Sequence, residues 1–100
     1  MAGRVPLDAS VIATDRQLST TLSGEVIILG LDDSMYYGLT ATGARIWELV
    51  QVRRTVEEIL AAVTDEFEVD RARAEADLEA LLGDLQARGL VAITRSATDR

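Results

Sequence analysis

The stretch from Gly24 to Val50, GEVIILGLDDSMYYGLTATGARIWELV, decides the fold. Its first part, Glu25 to Leu31, is a β-branched apolar run and predicts a central strand that is buried on both faces. Asp32-Asp33-Ser34 predicts a turn, and Met35 to Leu39 predicts a short aromatic strand. Thr40 is placed to cap the amphipathic helix that follows. Because a strand at a sheet edge can pair with another chain, this short strand is the first candidate for a binding edge.

The flanking sequence adds one strand before this stretch and two helices after it. Gln17 to Leu22 predicts the first strand. Thr55-Val56-Glu57-Glu58 has the form of a capping box and predicts a second helix that ends near Glu68. A third, longer helix is expected between a cap at Asp70 and a left-handed stop at Gly89. The pattern predicts an α+β fold in which a three-stranded antiparallel sheet is followed by three helices.

The length of 100 residues predicts one domain. We expect a flexible N-terminal arm at residues 1–8, a single domain at 9–93 and a frayed C-terminal tail at 94–100. The chain has no run of 18 apolar residues, which argues against a membrane span. Its N-terminus also lacks a basic segment followed by an apolar one, so no signal peptide is expected and the expected compartment is the cytoplasm.

The composition excludes most catalytic chemistry, because the sequence contains no Cys, His, Lys or Asn. Without Cys and His there is no thiolate nucleophile, no usual general base and no ordinary zinc site. Without Lys there is no Schiff base and no phosphate-binding lysine. Carboxylates remain, but no pair of acids is framed by a pocket motif. We therefore expect no catalytic residue, no metal site and no cofactor.

Negative charge is concentrated in the helical half of the chain. Between Thr55 and Gln86 there are ten acidic residues and two basic ones, within a chain of net charge −7. Such a surface repels nucleic acid, whose binding depends on neutralising phosphates, so no nucleic-acid partner is expected. The charge is interpreted either as a solvated helix surface or as an attraction for a basic partner.

The order and the sequence motifs of these elements resemble those of the PqqD-like family, also called RiPP recognition elements. Its members are small winged-helix-like domains in the biosynthesis of ribosomally made, modified peptides. The resemblance covers roughly residues 11–91 and departs from the family pattern at Thr40, where Asn is usual, and in the connector 51–54, which lacks the usual glycine. It rests on Asp32, Tyr36-Tyr37-Gly38-Leu39, Gly43, Ile46-Trp47, Thr55-Val56-Glu57-Glu58, Asp77, Leu82, Leu85 and Gly89-Leu90.

The resemblance implies a protein that binds the leader segment of a precursor peptide. In this family the leader adds a strand to the edge of the third strand, and its apolar side chains enter a groove between that strand and the third helix. The implied pairing edge consists of Met35, Tyr36, Tyr37, Gly38 and Leu39. The implied groove wall consists of Ala74, Asp77, Leu78 and Leu81, with Asp77 facing either a leader donor or water.

The resemblance also implies partners, and several alternatives stay open. A free-standing chain is similar to members that deliver leaders to separate enzymes, which in lasso-peptide systems are a leader peptidase and an ATP-dependent cyclase. In pyrroloquinoline quinone assembly the partner is a radical enzyme. Beyond these adaptor roles, three helices with a small sheet also suit a winged-helix nucleic-acid binder, or a structural subunit that stabilises an enzyme without touching its substrate.

Overall fold

Two three-stranded antiparallel sheets and three helices make up residues 5–95, which are the residues that the computed structural model describes. The α+β class, the three-stranded antiparallel sheet and the three helices predicted from the sequence are therefore confirmed. A second, smaller sheet is added to them. The elements in chain order are β1 (Ser10–Ala13), β2 (Gln17–Leu22), β3 (Glu25–Gly30), β4 (Tyr36–Thr40), α1 (Ala41–Leu49), β5 (Arg54–Thr55), α2 (Val56–Phe67), α3 (Arg71–Ala87) and β6 (Val91–Thr94).

The larger sheet has the strand order β2-β3-β4, so the predicted central strand is indeed central. The prediction that this strand is buried on both faces is wrong. Val26 and Ile28 are buried on the inner face, which packs against the helices, whereas Ile27 and Leu29 are only half-buried. No helix covers the outer face among the described residues, so an apolar run sits on a half-exposed strand. The predicted third strand is β4, which begins one residue later than expected, at Tyr36.

The smaller sheet has the order β5-β1-β6 and joins the two ends of the described chain. Val11 pairs with Ile93, and Ser10 pairs with Thr55 at the start of α2. This sheet is not among the elements predicted from the sequence, because strands of two to four residues are too short to show periodicity. This sheet fixes α2 and the end of α3 relative to the larger sheet.

The helix caps agree with the sequence in two of three cases. At Thr55 both bonds of the capping box form, since the Glu58 N–H donates to Thr55 Oγ1 (3.1 Å) and the Thr55 N–H donates to Glu58 Oε1 (2.9 Å). The Asp70 carboxylate accepts the Arg73 N–H at the start of α3. The predicted Thr40 cap is wrong, because its side chain makes no capping bond; Ala41, with φ of 51°, brings the chain into α1 through a left-handed turn instead.

The core lies between the inner face of the larger sheet and the three helices. Trp47 is 3% exposed and its indole N–H donates to Ser19 Oγ (3.1 Å), so it is a core residue beneath the sheet. On α3 the buried side chains recur at helical spacing, and burial of each leucine among them contributes about 1.5–3 kcal/mol. The buried residues of α3 are Ala74, Leu78, Leu82 and Leu85.

The predicted arm at 1–8 and tail at 94–100 lie partly outside the described residues. Within them, Val5 packs against the core, the Leu7 carbonyl accepts the Glu57 N–H (2.9 Å), and Thr94 is the last residue of β6. Between residues 5 and 95 there is no helix with the length and apolar character that crossing a membrane requires.

Candidate peptide-binding site

The hydrogen-bond register of β3 and β4 determines which backbone groups of β4 point away from the sheet. The Gly30 N–H donates to the Met35 carbonyl (2.9 Å) in the turn that leads into this pair of strands. Bonded and non-bonded pairs alternate along an antiparallel ladder. The pair of Ile28 and Tyr37 lies two residues away from the Gly30–Met35 pair on each strand, so it is also a bonded pair. The backbone groups of Tyr37, and of every second residue of β4 from there, are thus hydrogen-bonded to β3.

The remaining β4 residues face an open edge. Because β4 is the last strand of its sheet, the N–H and C=O groups of Tyr36 and Gly38 have no strand partner among residues 5–95. The two residues together offer two donors and two acceptors along one line. Their side chains point to the outer face of the sheet, since Leu39 and Tyr37 occupy the inner face. This edge can accept an extended peptide through four backbone hydrogen bonds.

Met35 lies just before this edge, and its backbone is used locally. Its N–H donates to Asp33 Oδ1 (2.9 Å), while its carbonyl accepts from Gly30. A Cβ on Gly30 would lie 2.7 Å from the same Asp33 oxygen, so a larger residue here would displace the Asp33 side chain from its bond to Met35. The Met35 side chain is left 56% exposed beside the open edge.

A groove of about 650 Å³ lies beside α3, and it contains all four of the predicted wall residues. Its floor is apolar, and its walls come from α1, α2 and α3 together. None of the lining residues belongs to β4, so this groove lies among the three helices rather than between β4 and α3. It is linked to β4 through Gly43 of α1, where a Cβ would meet Leu39 Cδ2 at 3.2 Å. The groove is lined by Thr42, Gly43, Ile46, Leu60, Val63, Val69, Asp70, Arg73, Ala74, Asp77, Leu78 and Leu81.

The four predicted wall residues differ in what they can offer a ligand. Ala74 and Leu78 are 6% and 2% exposed and belong to the core, so they form the floor. Leu81 is half-buried, which leaves part of its side chain available. Asp77 is exposed and forms a 3.6 Å ion pair with Arg73 at the rim. Opposite charges therefore meet at the mouth of an apolar groove.

Tyr37 bridges β4 and the C-terminal part of α3. Its hydroxyl donates to Asp84 Oδ2 (3.4 Å), and the Arg88 guanidinium carbon lies 4.9 Å from the centre of its ring. Burial, and then the neighbouring Asp84 carboxylate, raise the pKa of Tyr37 above its ordinary value. This contact occupies the space between β4 and α3 at the end away from the groove. Tyr37 thus links β4 to α3 at a point beyond Leu81, the last residue of α3 that lines the groove.

The outer face of the larger sheet carries several apolar side chains that no helix covers among the described residues. Tyr36 and Leu18 are 71% and 63% exposed there. A shallow depression of about 180 Å³ lies between them, with Ile27 and Leu29 at its base. Gly38 stands next to Ile27 on this face, since a Cβ at Gly38 would lie 3.9 Å from Ile27 Cδ1. The outer face therefore continues to the open edge without a side chain in between.

The charged groups near the site form exposed ion pairs. Arg16 bonds the Asp32 carboxylate beside the turn before β4, which holds the pKa of Asp32 below its ordinary value. Residues 5–95 contain no cluster of three or more Asp, Glu, His or Cys side chains arranged to hold a metal ion.

The groove residues expected from the sequence all lie on α3, and the lining residues of α1 and α2 were not among them. Ile46, Leu60 and Val63 are buried core residues that also line the groove. This second role depends on how the three helices pack together, which the sequence does not show. A usable signal was Gly43, because a glycine early in α1 marks close packing against Leu39 and leaves the groove open.

Comparison with known proteins shows which solved structures share this fold and which family model matches the chain. Among solved structures, the chain is similar to TbiB1 in complex with the TbiA(beta) leader peptide, at 36% sequence identity and a TM-score of 0.75, covering 80% of this chain and 93% of that one. It also has the fold of lasso peptide synthetase B1 complexed with the leader peptide, at 22% identity and a TM-score of 0.71, covering 82% and 96%. No curated protein matches the chain. The family model for coenzyme PQQ synthesis protein D (PqqD) matches residues 25–91. The chain belongs to the PqqD family.

Proposed function

We propose that this protein is a non-catalytic adaptor that binds the leader segment of a ribosomally made precursor peptide. The leader adds a strand to the open edge of β4 and is presented to separate enzymes of lasso-type biosynthesis, namely a leader peptidase and an ATP-dependent cyclase. The observation that carries the proposal is the open edge at Tyr36 and Gly38, in a strand whose Leu39 lies beside Gly43 of the apolar groove. The similarity to TbiB1, whose structure contains a leader peptide, supports it.

The binding energy must come mainly from the groove. Four backbone hydrogen bonds contribute roughly 2–6 kcal/mol, at about 0.5–1.5 kcal/mol each. Ordering a disordered leader costs about 2–5 kcal/mol, so the net binding free energy from backbone pairing alone is near zero. A micromolar Kd requires about −8 kcal/mol. Three or more apolar side chains, at about 1.5–3 kcal/mol each, supply the difference.

The groove has the size and polarity for such side chains. Its volume of about 650 Å³ lies within the range of pockets that bury a small ligand. The ion pair of Arg73 and Asp77 is exposed at its rim, where such a pair contributes at most about 1 kcal/mol. Specificity should therefore depend on apolar leader residues that fill the groove, and only weakly on charge.

The composition is in keeping with a binding role. The chain has no Cys, His or Lys to act as nucleophile, general base or Schiff-base amine. We place the binding step in the cytoplasm, where a ribosomally made precursor is synthesised.

The proposal is tested by titrating a fluorescently labelled leader with the purified protein and recording anisotropy. The two probes are the TbiA(beta) leader peptide and the leader of the precursor encoded nearest this gene. We expect saturable binding with a Kd of about 1 μM or lower for the second probe, displaced by unlabelled leader and not by a scrambled peptide. Absence of saturable binding to both probes, with the protein folded by circular dichroism, would overturn the proposal.

The family match favours a second candidate, a peptide chaperone for a radical enzyme in pyrroloquinoline quinone assembly. The same edge and groove would serve there, with a different peptide. Competition between the lasso-type leader and the pyrroloquinoline quinone precursor separates the two roles. The adaptor role in lasso biosynthesis predicts tighter binding of the lasso-type leader, and the reverse order would favour the second candidate.

A further inference from the structure

The geometry of β4 leads to a second subsite for the leader, on the opposite side of the sheet from the groove. Side chains of an added strand alternate between the two faces of a sheet. The leader residue across from Gly38 therefore projects on the outer face, as Gly38 itself does. The groove between the helices receives only the leader residues on either side of it.

The outer face at this point is shaped to receive a side chain. Gly38 has none, so it leaves a notch between the open edge and Ile27, and Tyr36 stands beside the notch. Neighbouring strands lie about 4.8 Å apart. Ile27 already extends to 3.9 Å from the position of a Gly38 Cβ. A leader side chain must therefore extend across about one strand spacing to contact Ile27. Leu, Met and aromatic side chains are long enough for this, whereas Ala and Ser are not.

The surroundings of the notch select for apolar character. Ile27 and Leu29 are half-buried, Tyr36 is 71% exposed, and no charged side chain lines the adjoining depression. Apolar surface of this kind at a binding edge is covered when a partner binds. An aromatic side chain fits best, because it lies flat over glycine and packs edge-on or offset against a tyrosine.

We infer that Gly38, Tyr36 and Ile27 form an outer-face subsite that binds one large apolar side chain of the leader, preferably an aromatic one. This inference rests on the proposed leader-binding function and deepens it, since the leader is then recognised on both faces of the sheet. In the leader sequence, the residue on the outer face is therefore an odd number of positions away from each residue that enters the groove.

The test is a double-mutant cycle between Gly38→Val and an alanine scan of the leader, with binding measured by anisotropy. The backbone of Gly38 is not left-handed, and a Cβ there meets Ile27 at an ordinary contact distance, so the variant should fold. We expect Gly38→Val to weaken binding of the native leader about 5- to 50-fold. One leader position, when changed to alanine, should remove most of that loss. Leu22→Ala, on the same face but outside the depression, should change the affinity less than twofold.

The outcomes separate this inference from the proposed function. If the wild-type protein binds leader and Gly38→Val binds equally well, the outer-face subsite is refuted while the adaptor function stands. If Gly38→Val weakens all alanine-scanned leaders equally, the valine obstructs the backbone and no side chain occupies the notch, which also refutes the subsite. If no leader binds the wild-type protein at all, the proposed function fails, and the subsite with it.

Discussion

Replacing Leu81 with Asp tests whether the groove supplies the binding energy. Leu81 lines the groove and is half-buried, so a carboxylate at this position can remain hydrated in the free protein. Leu78 is a poor choice for the same purpose. It is 2% exposed, and an unpaired buried carboxylate costs several kcal/mol, a large part of a total stability of about 5–15 kcal/mol.

The size of the effect follows from the apolar contacts that are lost. A leader side chain next to the new carboxylate loses about 1.5–3 kcal/mol of burial. The exposed half of Leu81 loses roughly 1 kcal/mol more by the same measure. The sum of about 2.5–4 kcal/mol corresponds to a 70- to 900-fold higher Kd, at about 1.36 kcal/mol per tenfold.

The assay is an anisotropy titration with the labelled leader, accompanied by a thermal melt. Val52→Asp is the matched control, because Val52 is a 62% exposed apolar residue outside the groove. It should change the Kd less than twofold. If Leu81→Asp keeps its melting temperature and binds leader as the wild type does, the groove does not take leader side chains and the energetic argument is wrong.

Three further predictions concern the cap, the rim and Tyr37. Thr55→Ala removes the capping box of α2 and should cost about 1 kcal/mol, or about 4–8 °C in Tm by calorimetry; an unchanged Tm would contradict the cap. Asp77→Asn removes an exposed ion pair with Arg73 and should change leader affinity by less than about fivefold, whereas a larger loss would indicate specificity by charge. Tyr36→Phe leaves Tyr37 as the only tyrosine, so absorbance titration should give a midpoint above pH 10.0. Because the folded-state pKa of Tyr37 is raised, the stability contributed by its neutral form is present below about pH 10 and is lost as the pH rises through the folded-state pKa. A midpoint at or below pH 10.0 would contradict the raised pKa.

Much of the fold was predictable because its signals are local. The capping box at Thr55, the cap at Asp70 and the left-handed stop at Gly89 each depend on a few neighbouring residues, and all three are present. The smaller sheet was not predictable in the same way. Its strands have two to four residues and pair positions as distant as Val11 and Ile93, so neither periodicity nor local chemistry reveals them.

The site was predictable in part for a related reason. The residue pattern located the edge strand and the face of α3, but not which backbone groups of β4 are open. That depends on the register with β3, and the bond from Gly30 to the Met35 carbonyl sets it. The half-exposed outer face was also missed, because an apolar strand has the same sequence pattern whether one face or both faces are covered. Ile27 is the residue whose interpretation changes most.

The central claim, strand addition to β4, is tested most directly by an N-methyl scan of the leader. Leader peptides that carry one backbone N-methyl group each are compared in the anisotropy assay, position by position. In an added strand alternate N–H groups bond to the partner and the others point away. The open groups of Tyr36 and Gly38 therefore predict that N-methylation weakens binding strongly at two positions spaced two residues apart, with the position between them far less affected. A scan with equal effects at adjacent positions, or with none, would contradict strand addition at this edge.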